Sequence, residues 1–357
     1  MLPTLQLQTN KWTPMKKLTA KLRRQKPEEK PSRITNETVA EHREQILAGG
    51  RKFKYPVQYA KHRLVINTMV IALSAIVLLV IACWYLLYFA QANTKFMYRL
   101  TQLVPVPVAT VDGENVRYSE YLKKYRSDIF SLVQQEQINL KSVDGKRQSE
   151  YYKRQELDGA IKEAYAGKLA RERNISVSRS EVDAFITRTV SRKSISLEAY
   201  EKTVLQNFYD WSLDEYRGVV KARLLTQKIS FAIDEAAKKR ASSVAIEAQA
   251  VGVDFAAIAI ANSDDGGTKL NGGDVGILPL DNQDMNGLIA LASKMEVNQV
   301  SQAVQGSDGY YIIKLTEKND TSVRYSQIKI GLTELNKRFE TVKAEKKIKE
   351  HIKVSQL

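Results

Sequence analysis

The sequence predicts an α+β protein with one transmembrane helix near its N-terminus. Three observations support this fold class. Residues 64–94 carry no charged side chain. The middle of the chain has apolar residues at helical spacing, and the last third alternates glycine-rich turns with short strand-like runs. We therefore expect a transmembrane helix, then a mostly helical domain, then a small antiparallel sheet with helices.

The excess positive charge of the chain is concentrated at the N-terminus. The net charge is +15, and residues 1–63, with 15 Lys/Arg and 5 Asp/Glu, contribute +10 of it. We predict that this segment is a basic cytoplasmic tail, largely disordered apart from a short helix over 35–47. A basic tail beside an apolar segment contacts anionic lipid headgroups, so no nucleic-acid partner is expected.

The apolar segment is long enough to cross a bilayer. A helix over residues 64–91 would be about 40 Å long, against a hydrocarbon core of about 30 Å. Its flanks carry basic residues before it and aromatic residues at its end, as membrane interfaces favour. The positive-inside rule then predicts a single-pass protein of the cell membrane, with residues beyond the span outside the cytoplasm.

The inventory of reactive side chains is small. Cys83 is the only cysteine and lies within the apolar segment, so no intramolecular disulfide or cysteine-based metal site can form. The three histidines, His42, His62 and His351, are scattered over the chain. We predict no metal, no cofactor and no catalytic triad.

A linker and a helical domain follow the span. Residues 92–107 are predicted to be a linker, because the LVPVPV sequence at its end favours extended backbone. In the domain predicted over 108–233, an Asp-Gly pair at 112–113 indicates a hairpin turn. Two capping boxes, S-R-S-E at 178–181 and S-L-D-E at 212–215, mark helix starts.

The last third contains a series of short motifs in a fixed order. A predicted helix over 234–250 is followed by DFAAIAIA at 254–261, SDD at 263–265, NGGDVG at 271–276 and DGYYIIKL at 308–315. Residues 322–330 alternate as a strand does, and a basic helix is predicted in the C-terminal segment 333–357.

This series of motifs resembles the parvulin-type (PpiC, or rotamase) peptidyl-prolyl isomerase domain of bacterial foldases. The stretch from Val108 to Leu122 resembles the start of the N-terminal domain of SurA-type chaperones. The resemblance implies a SurA-like chaperone domain over 108–233 and a parvulin-like isomerase domain over 234–332. It also implies that unfolded or exported polypeptides containing X-Pro bonds are the partners, and that no cofactor is needed.

The resemblance assigns candidate site residues. Asp265 takes the position of the family's polar residue beside the imide, while Tyr311 and Gln327 take the positions at which the family carries histidines. The apolar wall of the proline pocket would come from the glycine-rich turn and the helix after it: Val275, Ile277, Leu278, Met285, Leu288 and Ile289.

The family's first strand has no counterpart before the helix at Asp234. Because residues 322–330 resemble that strand, we expect the C-terminal segment to complete the sheet, as in a circular permutant. Deletion of residues 322–357 should then unfold the isomerase-like domain.

Three functions are compatible with the sequence. The first is a membrane-anchored foldase that isomerises X-Pro bonds. The second is a holdase that keeps the fold as a binding surface with weak or no catalysis, which the replaced histidines favour. The third is an envelope scaffold.

Overall fold

The computed structural model describes residues 35–54, 56–282 and 284–355, and the side chains of residues 51–61 are not among the described ones. The predicted disorder of residues 1–34 lies outside the described residues. The chain divides into two compact units, 1–77 and 78–357, and each is considered by itself.

The first unit holds helix α1 (Asn36–Lys54) and most of helix α2 (Pro56–Tyr88). Helix α2 begins eight residues before the predicted span, with a proline at its first position, where a missing N–H costs nothing. Its stretch from His62 to Tyr88 is long and apolar enough to cross a membrane, and the 18-residue window that meets this criterion is not buried inside the protein. The predicted candidate transmembrane helix is therefore present.

The second unit begins with a helical region. Its elements are α3 (Lys95–Leu103), β1 (Pro107–Val111), β2 (Glu114–Arg117), α4 (Tyr118–Gln134), α5 (Val143–Glu172), α6 (Arg179–Ser191), α7 (Leu197–Tyr200), α8 (Asn207–Tyr209) and α9 (Leu213–Ile233). A π-helical turn, Glu201–Gln206, joins α7 to α8. Both predicted capping boxes are formed, at Ser178 with Glu181 and at Ser212 with Glu215.

The predicted linker over residues 92–107 contains helix α3. Thr94 caps this helix by accepting a hydrogen bond from the amide of Met97, and Met97, Tyr98 and Thr101 are buried in the helical core. Burial of this short amphipathic helix outweighs the extended preference of the prolines, which begin only after it ends.

The isomerase-like region has a four-stranded antiparallel sheet of order β3-β6-β5-β4. Its elements are α10 (Glu235–Ala248), α11 (Phe255–Asn262), a 3₁₀ turn (Lys269–Asn271), β3 (Asp274–Pro279), α12 (Leu288–Ala292), β4 (Val304–Gln305), β5 (Gly309–Lys318) and β6 (Ser322–Gly331). The segment predicted to complete the sheet is β6, which pairs with both β3 and β5. The predicted α+β fold class is therefore confirmed.

The two faces of this sheet bury different cores. Tyr310, Ile312, Ile328 and Ile330 face helices α10 and α11. On the other face, residues of β5 and β6 pack against helix α12: Tyr311, Ile313, Leu315, Val323 and Tyr325. Side chains alternate across a strand, so β5 and β6 contribute to both cores.

The C-terminal segment differs from the single helix predicted in 333–357. Helix α13 (Glu334–Ala344) ends before Lys346, which has a left-handed φ of 56°. Strand β7 (Ile348–Glu350) then pairs with β1, giving a sheet of order β2-β1-β7. Pairing with the hairpin, and burial of Ile352 in the helical core, override the local helical preference.

The side chain of Asp234 connects the start of helix α10 to the start of helix α13. This buried carboxylate accepts a hydrogen bond from the Ala237 amide of α10 (2.9 Å) and from the Thr333 (2.7 Å) and Glu334 (2.9 Å) amides at the start of α13. One side chain therefore satisfies free amides at the starts of two helices.

Candidate active site

The Ser-Asp-Asp turn is attached directly to strand β6. The buried hydroxyl of Ser263 accepts hydrogen bonds from the amides of Asp265 (3.2 Å) and Lys329 (3.1 Å). The amide of Asp264 donates to the carbonyl of Lys329 at 2.7 Å. These bonds fix the turn after α11 beside the strand that carries Gln327.

Asp265 and Gln327 are in direct contact. The Nε2 of Gln327 donates to Oδ2 of Asp265 at 2.8 Å, and Thr268 Oγ1 donates to the same oxygen at 2.6 Å. Partial burial raises the pKa of Asp265, but the hydrogen bonds from Thr268, Gln327 and the Gly267 amide lower it by more, so the net shift is downward. The carboxylate is therefore ionised at neutral pH, with its orientation fixed by neutral donors.

Tyr311 lies on the same sheet face as Gln327. In the β5–β6 ladder Tyr311 is opposite Lys329, and Ile313 is opposite Gln327; facing residues of an antiparallel pair share a face. The hydroxyl of Tyr311 donates to Asp308 Oδ1 at 2.8 Å, and Lys329 Nζ contacts Asp308 Oδ2 at 2.6 Å. Burial and the Asp308 carboxylate raise the pKa of the Tyr311 hydroxyl, which remains a protonated donor at neutral pH.

The predicted apolar residues fall into three groups. Leu288 and Ile289 are buried under the sheet face that carries Tyr311, and Val275 and Leu278 are half-buried against the same cluster. Met285 is exposed at the edge of this region. Ile277 is paired with Arg324 and is 65% exposed. Because side chains alternate along β6, Arg324 and its partner Ile277 lie on the other sheet face. The structure therefore brings Val275, Leu278, Leu288 and Ile289 to the sheet face that carries Tyr311, whereas Met285 lies outside this cluster and Ile277 is on the other face.

Three polar residues of this region were not predicted from the sequence as site residues. Thr268 is brought to the site by the turn after α11, and Lys329 is brought there by the register of β6 against β5. The local sequence specifies neither of these features. Asp308 is part of the DGYYIIKL motif and could have been found as the acceptor of an aromatic hydroxyl three residues away.

Asp274 of the NGGDVG motif is a structural residue here. Its carboxylate accepts from Arg324 Nη2 at 2.6 Å and from the Gly276 amide at 3.0 Å. The guanidinium and this amide bond lower the pKa of Asp274. Within the ranges that the structure describes, no group of three or more His, Cys, Asp or Glu side chains is placed to hold a metal ion.

A four-stranded antiparallel sheet with helices on both faces, and a fixed carboxylate beside an apolar cluster, are the features of a parvulin-type domain. Comparison with known families agrees: residues 60–230 match the SurA-like N-terminal domain, and residues 224–317 match the PPIC-type peptidyl-prolyl isomerase domain. The chain therefore combines a SurA-like N-terminal region with a parvulin-type isomerase domain. Strand β6, which carries Gln327, lies beyond the part matched to the isomerase family.

The similar proteins are foldases. The chain is 27% identical over 244 residues to the foldase protein PrsA of Streptococcus gordonii, covering 64% of this chain and 74% of that protein. It is 27% identical over 163 residues to foldase protein PrsA of Streptococcus pneumoniae strain Hungary19A-6, covering 44% of this chain and about half (47%) of the relative. The crystal structure of foldase protein PrsA from Streptococcus pneumoniae strain Canada MDR_19A matches 54% of this chain and 76% of that chain, with 21% identity and a TM-score of 0.19.

Proposed function

We propose that this chain is a membrane-anchored folding factor that isomerises X-Pro bonds in exported polypeptides on the non-cytoplasmic side of a bacterial membrane. The contact between Asp265 and Gln327, above an apolar cluster, is the observation that carries the proposal. The PPIC-type domain and the PrsA relatives support the class of activity.

The chemistry requires little from the protein. Rotation about a peptide bond crosses a barrier of about 18–20 kcal/mol, set by amide resonance. A thousandfold acceleration requires stabilisation of the twisted imide by about 4 kcal/mol relative to the planar forms. No covalent step or cofactor is involved in such a rotation.

Each part of the site has a role in this proposal. Val275 and Leu278, half-buried against the cluster that contains Leu288, receive the prolyl ring. Asp265, ionised and held by Gln327, faces the imide, where a negative charge near the carbonyl oxygen opposes the charge separation of the planar resonance form. Tyr311, whose hydroxyl is engaged with Asp308, forms a wall of the site and donates no proton to the client.

A holdase is the second candidate function. It is favoured by the replacement of both family histidines, because Tyr311 has its hydroxyl committed to Asp308 and Gln327 has its amide committed to Asp265. In that case the same surface would bind extended clients without accelerating isomerisation.

One experiment separates the two functions. The full chain in detergent micelles is assayed for cis–trans exchange of a proline-containing peptide by NMR and, in parallel, for suppression of aggregation of an unfolded client. The foldase proposal predicts exchange well above the peptide-alone rate. An exchange rate equal to that of the peptide alone, with aggregation still suppressed, would assign the chain to the holdase class.

A further inference from the structure

A cavity adjoins the candidate active site on the side of Tyr311. Its volume is about 220 Å³, and it lies between helices α6 and α9 of the SurA-like region and two loops of the isomerase-like region. Its lining includes Arg188, Arg192 and Arg223 from the helical side, and Met285, Asn286 and Gly306 from the loops.

The cavity has an unbalanced positive charge. Arg188, Arg192 and Arg223 all line it, and its lining contains no Asp or Glu. These arginines form no ion pair with any residue that the structure describes. The ion pairs of the same helices are made by Arg217 and Lys228 instead. Three guanidinium groups around one small space repel one another unless an anion occupies it.

The acidic residues of the same helices are engaged elsewhere. Asp183 and Asp214 pair with Arg217, at 2.9 Å and 2.7 Å. Glu181 pairs with Lys228. On the isomerase-like side, Asp308 is bound by Lys329 and Tyr311. These four carboxylates are therefore engaged with cations outside the cavity.

Arg192 provides independent support for a ligand. Its Nε atom is buried and has no hydrogen-bond partner among the described residues. A buried N–H without an acceptor is unfavourable, more so when the group is charged, and the described residues leave this guanidinium incompletely satisfied. Arg223 lies over the ring of Phe185, 5.5 Å from its centroid, which limits the motion of a second guanidinium.

The cavity is connected to the isomerase-like site through Gly306 and Asn286. Gly306 lies against the ring of Tyr311 so closely that a Cβ there would collide with it. The Oδ1 of Asn286 accepts a hydrogen bond from the Ser307 amide at 2.8 Å. Met285, predicted as a substrate-binding residue, also lines the cavity. Gly306 therefore lies between the ring of Tyr311 and the cavity that the arginines line.

We propose that this cavity binds the carboxylate of a client Asp or Glu located within a few residues of the isomerised proline. The inference rests on the proposed function, because it assigns the class of client to the same site. Guanidinium groups match the planar carboxylate and retain their charge at all relevant pH values. The SurA-like region thereby contributes to client selection by the isomerase-like domain.

The test compares matched peptides on the full chain in detergent micelles. Fluorescent proline peptides carry either Glu or Gln immediately before the proline, or two residues after it, and binding is measured by fluorescence anisotropy. We expect at least one Glu peptide to bind about tenfold more tightly than its Gln partner, with the difference reduced at high salt. The Arg188→Gln/Arg192→Gln variant should bind both members of each pair equally.

Controls separate this proposal from loss of fold and from the proposed function. Arg179→Gln, on the same helix but outside the cavity, should retain the Glu preference, and thermal unfolding by circular dichroism checks that each variant folds. Because binding is measured without catalysis, a Glu preference without isomerase activity overturns only the proposed function. Equal binding of the Glu and Gln peptides by the unmodified chain overturns the proposed subsite. If inorganic phosphate competes tightly with peptide binding while no Glu preference exists, the proposal is overturned as well.

Discussion

Gly273 positions Gln327 within the candidate site. Its carbonyl accepts the Gln327 amide at 2.8 Å, and its φ of 83° lies in the region that favours glycine. A Cβ at this position would collide with the carbonyl of Gln327. The glycine of the NGGDVG motif is therefore required by the close passage of the turn beneath β6.

Replacement of Gly273 should be costly. We expect Gly273→Ala to lower the free energy of unfolding by about 2–4 kcal/mol, because it combines a left-handed backbone with a steric clash. Chemical denaturation followed by near-UV circular dichroism measures the change. Gly266→Ala is the matched control, since a Cβ there meets no atom within 4 Å; equal stability of the two variants would contradict the prediction.

Asp128, in helix α4 of the SurA-like region, should make stability depend on pH. Burial, reinforced by the neighbouring Glu156, raises the pKa of Asp128 to about 7. Its folded-state pKa exceeds the unfolded value, so its contribution to stability is complete below about pH 4 and is lost as the pH rises through 7.

We predict that Asp128→Asn raises the free energy of unfolding at pH 8 by about 1–2 kcal/mol, a value reduced for the group's partial solvent exposure. The gain should shrink as the pH falls and disappear near pH 4, the unfolded-state pKa of the group. Urea denaturation at both pH values measures it, with the highly exposed Asp144→Asn as control. A gain that is the same at both pH values would show that ionisation of Asp128 is not the cause.

At the scale of single residues, the sequence predicted the features that depend only on neighbouring residues. Ser178 and Ser212 were identified as caps because a capping box depends on residues only three apart. The contact of Asp265 with Gln327 involves residues 62 positions apart, and only the family resemblance placed them at one site. Lys329 was missed because its position depends on the register of β6 against β5.

At the scale of elements, β6 decides whether the isomerase-like region is complete. It lies between β3 and β5, and its residues contribute to the cores on both faces of the sheet. The alternation of residues 322–330 predicted the strand. Because the family's first strand has no counterpart before Asp234, we predicted that this strand would complete the sheet. The helix α3 and the strand β7 were not predicted, because both form through contacts with distant parts of the chain.

Weakening β6 should destabilise the isomerase-like region. Ile328 is fully buried, and we expect Ile328→Ala to cost about 2–5 kcal/mol, while deletion of residues 322–357 should abolish the cooperative transition. Differential scanning calorimetry of the full chain and its variants measures both. Ile277→Ala, on the exposed side of the adjacent strand, should have little effect; an unchanged transition after the deletion would refute the role of β6.

At the scale of the whole molecule, two connections along the chain join the SurA-like and isomerase-like regions. Helix α9 leads directly into α10, and the chain returns after β6 through α13 to pair β7 with β1. Arg154 of α5 is fixed by Glu350 of β7 at 2.8 Å. The proposed arginine subsite lies where the two regions meet, a position that follows from this connection.

The proposed membrane orientation can be tested in intact cells. In a Cys83→Ala background, we expect a membrane-impermeant maleimide to label Ser194→Cys, beyond the span, and not Glu41→Cys, before it. The physical reason is retention of the basic N-terminal segment in the cytoplasm. Permeabilised cells, in which both cysteines should react, provide the control, and the opposite labelling pattern in intact cells would reverse the orientation.

The most direct test of the account is the cis–trans exchange rate of a proline peptide with the Asp265→Ala variant of the full chain. Loss of the fixed charge should lower the catalysed rate by tenfold or more, about 1.4 kcal/mol or greater, while Asp281→Ala, an exposed acid after β3, should leave it unchanged. A catalysed rate in Asp265→Ala equal to that of the unmodified chain would place the isomerase activity elsewhere and contradict the proposed site.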